Sequence, residues 1–237
     1  MVICIILIAL GMVALTLFLI EKVRKYSLKA MLIKATASIL FIAVASVARY
    51  FNGNSTFATF ALIALGFGML GDVFLDLKYI YPKDDVIFSY AGFIVFAIGH
   101  VLYITGMINE FYVPSNPAYI ILPFALGSVA GIVTLALEKP LKMNFGKMKL
   151  ICFIYAFLLF SMFFMAGSLM ILHEFKTVSL IMLTAGGALF AISDLILCMT
   201  YFAKNRERPI DIISNGVTYY LAQFIIAFSI YFIGVVI

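Results

Sequence analysis

Leu65-Gly-Phe-Gly-Met-Leu-Gly-Asp-Val-Phe-Leu75 is the stretch on which the reading of this chain turns. It is apolar throughout except for Asp72. A second stretch, Gly186-Gly-Ala-Leu-Phe-Ala-Ile-Ser-Asp-Leu-Ile-Leu197, repeats the arrangement: a small residue, then Asp194, then a leucine three positions on. Both lie in runs long enough to sit inside a bilayer. An ionisable group at that depth costs about 2.5–3.5 kcal/mol on insertion scales, so each aspartate is a candidate functional residue by default.

The rest of the chain fits that setting. Of its 237 residues 65% are hydrophobic and 11% charged, with a mean hydropathy of +1.18. A soluble domain of this length could not hide so much apolar surface, so the bilayer is the solvent. Continuous apolar runs of about twenty residues predict helices, where a barrel would alternate over segments of about ten. Eight runs are predicted, over about 2–20, 30–49, 56–76, 86–108, 117–137, 149–171, 178–203 and 214–236. The expected architecture is all-α: one membrane-embedded bundle over 1–237, with no room for a soluble domain between the short connections.

Thirteen of the 16 basic residues fall in the odd-numbered connections, among them Lys22, Arg24, Lys25, Lys29, Lys204 and Arg206. By the positive-inside bias those connections are cytoplasmic and both termini are not. The same bias accounts for the net charge of +5 without a nucleic-acid partner. The first run has no basic residue before it, which suits an uncleaved helix better than a signal peptide. Cys4, Cys152 and Cys198 lie within predicted helices without metal-ligand spacing, so neither disulfides nor a zinc site are expected. Trp is absent, and tyrosines such as Tyr26, Tyr79 and Tyr201 are available for the interfacial belt.

At about 1.5 Å per residue, Asp72 lies roughly 8 Å and Asp194 roughly 13 Å inside the cytoplasmic boundary. Lys34 on the second helix sits at the depth of Asp72. Tyr155 on the sixth helix and Tyr219, Tyr220 and Gln223 on the eighth share the cytoplasmic half, with His100 and Tyr103 deeper on the fourth. These groups are expected to face one cavity. Asp76 is expected at the boundary, with water and Lys78. Simpler readings exist: Asp72 and Lys34 as a structural ion pair, His100 as an interhelical hydrogen-bonding residue, and the glycines as close-packing positions.

The spacing also hints at duplication. Lys34 to Asp72 is 38 residues and Tyr155 to Asp194 is 39; Asp72 to His100 is 28 and Asp194 to Gln223 is 29. Helices 2, 3 and 4 would then match helices 6, 7 and 8, a parallel 4+4 repeat.

Gly71-Asp72-x-x-Leu75, Gly99-His100-x-x-Tyr103, Phe190-x-x-Ser193-Asp194 and Tyr220-x-x-Gln223, taken in order, resemble the YhhN-like lysoplasmalogenase family. Lys34 stands where that family has a lysine, followed here by Ala35 instead of the family's proline. The resemblance runs from helix 2 to helix 8. It implies a multi-pass hydrolase that cleaves the vinyl ether bond of lysoplasmalogens, releasing a fatty aldehyde and a glycerophospho-alcohol. Short loops point to a bacterial-type member in a plasma membrane.

That reaction needs a carboxylic acid to protonate the alkene and a carboxylate to stabilise the oxocarbenium ion and direct water, a division of labour known from glycosidases. An apolar surrounding favours the neutral acid, and a neighbouring cation favours the carboxylate. The expected assignment is Asp194 as general acid and Asp72, held by Lys34, as stabiliser, though the reverse is open. His100, Tyr103, Tyr155, Tyr220 and Gln223 would position water and the glycerophosphate. No cofactor or metal is expected. The expected partners are a lysophospholipid substrate and membrane lipids; head group and oligomeric state are not readable. The main alternative is a proton-coupled transporter or lipid carrier using the same buried groups.

Overall fold

The computed structural model describes residues 1–24, 26–52, 55–114, 116–203 and 208–237. Lys25, Lys204 and Arg206, used above for orientation, lie outside the described residues. Among the described residues eight α-helices follow one another: α1 (Val2–Arg24), α2 (Leu28–Asn52), α3 (Thr56–Ile80), α4 (Asp85–Phe111), α5 (Ala118–Ala136), α6 (Lys149–Leu172), α7 (Val178–Phe202) and α8 (Pro209–Ser229). Each belongs to a segment long and apolar enough to cross a membrane. A helix meets all its own backbone hydrogen bonds, as the hydrocarbon interior requires. Among the described residues no strand forms, and extended pairing is limited to two isolated bridges, Met143 with Ala203 and Thr177 with Val236.

The helix ends differ from the hydropathy boundaries by up to about two turns, the largest difference being α8, which runs Pro209–Ser229 where 214–236 was expected. α3 continues to Ile80 instead of stopping near 76, and α8 starts at Pro209, a residue suited to a first helical turn because its missing N–H would have no partner there. The start of α3 is fixed by the end of α4. The Ser55 hydroxyl caps the Ala58 N–H at 3.1 Å and donates to Glu110 at 2.9 Å, while the Phe57 N–H also donates to Glu110 at 3.1 Å. A carboxylate at a helix N-terminus is favoured by unpaired N–H groups and by the helix dipole.

Six helices form a closed ring in the order α2, α3, α4, α6, α7 and α8, with α8 returning to pack on α2. α1 lies outside against α2 and α8, and α5 lies outside against α6. These two outer helices bury the smallest share of their surface, consistent with faces turned to lipid. Glycine permits the closest of these contacts. A Cβ on Gly127 of α5 would stand 2.8 Å from the Phe157 carbonyl oxygen of α6, so the two backbones nearly touch there. Pro123 inside α5 cannot donate to Tyr119, whose carbonyl instead accepts from Ser168 of α6 at 2.7 Å.

Candidate active site

The ring turns its polar residues inward, onto two linked centres. The first is built on Lys34, whose ammonium lies 3.0 Å from Asp72 and 3.2 Å from Asp76. Asp76 is therefore not at a watery boundary with Lys78 as expected. It is 2% exposed and shares the lysine with Asp72. The cause is the extra turn of α3: residues four apart on a helix share a face, so Asp76 follows Asp72 into the bundle. With both carboxylates ionised, this triad carries one net negative charge.

Hydroxyls complete the Asp72 shell. Its second oxygen accepts from Ser38 at 3.0 Å and from Tyr219 at 2.9 Å. Gln223 donates in turn to the Tyr219 oxygen at 2.9 Å, and Tyr220 donates to the Lys34 carbonyl at 3.0 Å. α2, α3 and α8 are thus joined through one buried carboxylate. Such a network is rigid when its members are satisfied.

The second centre is Asp194 on α7. Its carboxylate accepts from the Tyr155 hydroxyl of α6 and, at 3.0 Å, from Ser193. The contacts are with hydroxyls, where Asp72 has an ammonium, so the two aspartates occupy chemically different shells. Asn215 of α8 donates to the Ser193 carbonyl at 2.8 Å and ties α8 to α7 beside the carboxylate. Phe96 separates the centres, its ring edge-on to Tyr155 at 6.4 Å and to Tyr219 at 6.2 Å.

Two cavities meet at Asp194. One is lined by Lys34, Asp72, Asp76, Asp194, Tyr155 and Tyr220, among others. The other lies between α6 and α7 with contributions from α4 and α5, and is walled by apolar groups such as Ala156, Leu159, Phe160, Ala191 and Leu195. Tyr155 and Asp194 belong to both walls, as do Phe93, Leu197 and Tyr201. A polar chamber and an apolar one therefore share a carboxyl group.

Of the residues singled out in the sequence, Lys34, Asp72, Tyr155, Asp194 and Tyr220 line the polar cavity together. Gln223 reaches it through Tyr219. His100 is buried one layer behind, its ring 5.4 Å from that of Tyr155 and 5.1 Å from that of Phe190, and neither ring nitrogen bonds a described residue. Tyr103 is buried but lines neither cavity, and its hydroxyl likewise bonds no described residue. Tyr219, expected to face the cavity, lines it and donates to Asp72, while Asp76 and Ser38 join the site without having been candidates. For Asp76 the i+4 spacing from Asp72 was the available signal; a serine on an apolar helix carries none. Among the described residues no group of three or more His, Cys, Asp or Glu is arranged to hold a metal ion, and the three cysteines are free thiols.

Residues 29–230, which include every residue of both centres, match the model of the YhhN family. No curated protein matches. No solved structure matches either.

Proposed function

The chain belongs to the YhhN family, and on that footing we propose that it is a single-domain, multi-pass membrane hydrolase that cleaves the vinyl ether bond of lysoplasmalogen-type lysophospholipids. The observation that carries this reading is the carboxyl group common to a polar and an apolar cavity. A lysolipid has the same division: one apolar chain, one polar head, and the ether linkage between them. With the chain between α6 and α7 and the glycerophosphate in the polar cavity, that linkage lies beside Asp194.

The reaction follows from the two shells. Asp194, as the acid, gives its proton to the alkene carbon once removed from the ether oxygen, and the oxygen lone pair forms an oxocarbenium ion. The carboxyl groups of Asp72 and Asp76, joined through Lys34, face the same cavity and stabilise that cation. Water adds to the cationic carbon, and its released proton returns to the Asp194 carboxylate. The resulting hemiacetal collapses to a fatty aldehyde and a glycerol hydroxyl, so the sum is the addition of one water. Tyr155 orients Asp194, while Tyr219 and Ser38 orient Asp72. His100 stands behind Tyr155 and supports its ring.

A proton-coupled carrier is the second reading, favoured by the buried Lys34 triad. Against it, the helices of the ring are unbroken around the site, and the intrahelical proline, Pro123, is on the outer helix α5. The proposal sets the protein in a bacterial plasma membrane with the polar cavity toward the cytoplasmic leaflet and both termini outside, an orientation favoured by the excess of basic residues in the odd-numbered connections.

Purified protein in detergent is expected to release aldehyde from an alkenyl lysophospholipid. General acid catalysis contributes about 10²–10⁴-fold, so Asp194→Asn should lower the rate by about that factor while eluting as a folded species. Full activity in that variant would refute the acid assignment. Uptake into proteoliposomes without chemical change would favour the carrier.

A further inference from the structure

A lysolipid that runs from the apolar cavity into the polar one has its ether linkage where the two meet, so the residues common to both walls flank the reacting bond. Among the described residues these are Phe93 of α4, Tyr155 of α6, and Asp194, Leu197 and Tyr201 of α7. Tyr155 and Asp194 are engaged with each other through a hydrogen bond. The Tyr201 ring already carries a cation, the Lys78 ammonium 3.0 Å from its centre. Leu197 is aliphatic. Phe93 is left, an aromatic ring that the reaction described above does not use.

Its place is set by the helices on either side. α4 approaches α3 so closely at Gly92 that a Cβ there would overlap the Leu75 side chain. The next residue is turned about 100° round the helix, which directs Phe93 toward α6 and α7. There its ring centre lies 5.3 Å from that of Tyr155, inclined at 61°, and 6.4 Å from that of Phe202, nearly parallel at 17°. Phe93 is buried in the core. A ring packed on two sides in this way keeps its orientation.

The alkenyl ether is neutral when it binds and becomes a cation only when Asp194 protonates it. An aromatic face is negative through its quadrupole and attracts a cation without bearing a net charge. A further carboxylate at the junction would add another costly intramembrane charge; a phenyl ring adds none. Phe96 stands between Asp194 and the Asp72 centre, so the carboxylates there act across the width of a ring. We infer that Phe93 is a catalytic residue, its ring lying against the oxocarbenium carbon and stabilising the charge that forms there. The inference rests on the vinyl ether reading above. Because the charge is absent from the bound substrate, the contact lowers the barrier without tightening binding.

Fluorinated phenylalanines separate this role from packing, since fluorine is close to hydrogen in size but drains the negative face of the ring. Phe93 is replaced by its mono-, di- and trifluoro analogues, and aldehyde release is followed in a single turnover so that product release does not mask the step. The rate is expected to fall with each fluorine, by about 2- to 30-fold across the series, while the affinity for a saturated alkyl lysophospholipid stays constant. Phe93→Leu should lose at least as much rate. The same series at Phe145, a buried ring that lines neither cavity, should leave the rate unchanged. Aldehyde release at the full rate throughout the Phe93 series would overturn the inference and leave the hydrolase reading intact. An equal fall at Phe145, or a loss confined to affinity, would overturn it as well. No aldehyde from the wild-type protein would overturn both.

Discussion

Lys34 faces two carboxylates, and the charge balance of the site depends on it. Its removal leaves Asp72 and Asp76 buried without a cation. Breaking a buried ion pair from one side costs about 3–5 kcal/mol, so Lys34→Ala should unfold at markedly lower temperature or fail to accumulate. Asp76→Asn keeps the Lys34–Asp72 pair and should unfold close to wild type; thermal unfolding in detergent compares the two. An equal loss in both variants would contradict the division of roles. The bond between Tyr155 and Asp194 was not anticipated, but the Lys34–Asp72 pair was legible, since charged groups in apolar helices have few places to go. Asp76 was not, because falling hydropathy at its position mimics a helix end. Tyr103 was overread: sharing a face with His100 does not bring it to the cavity.

At the scale of helices, hydropathy located all eight segments, and its errors lie at their ends. Composition reports where a chain can no longer face lipid, whereas helices continue outward until a cap or turn stops them. Contacts between helices depend on small residues whose role appears only in three dimensions. Gly127 and Gly66 look alike in sequence. A Cβ on Gly127 would press on the α6 backbone at Phe157 and Ser161, whereas one on Gly66 meets nothing within 4 Å. Gly127→Ala is therefore expected to destabilise the bundle by about 1–3 kcal/mol, and Gly66→Ala to be neutral or mildly stabilising, as read by denaturation in detergent. The reverse order would mean that α5 does not lie against α6 as described.

Across the whole molecule, we propose that the ring derives from two four-helix units. The α4–α6 contact and the α8–α2 contact correspond under a shift of four helices, as do the outer helices α1 and α5. The paired residues correspond too: Lys34 with Asp72 across α2 and α3, Tyr155 with Asp194 across α6 and α7. What the sequence could not reveal is that the two aspartate centres differ in chemistry, one built on an ion pair and one on hydroxyls beside an apolar cavity. The path of that cavity depends on which helices adjoin, and periodicity does not contain that information. If the cavity between α6 and α7 takes the lipid chain, Ala191→Phe in its wall should raise KM several-fold for long-chain substrates and little for short ones. A chain-independent change would place the tail elsewhere.

The most direct test of the account is isotopic. The purified protein is supplied with an alkenyl lysophospholipid in D₂O, and the aldehyde is reduced as it forms so that later exchange is blocked. Proton donation to the alkene carbon predicts one deuterium at the carbon next to the aldehyde carbon, together with the intact glycerophospho-alcohol. That product should fall by about 10²-fold or more in Asp194→Asn. Recovery of the substrate unchanged, or of aldehyde without deuterium at that carbon, would contradict it.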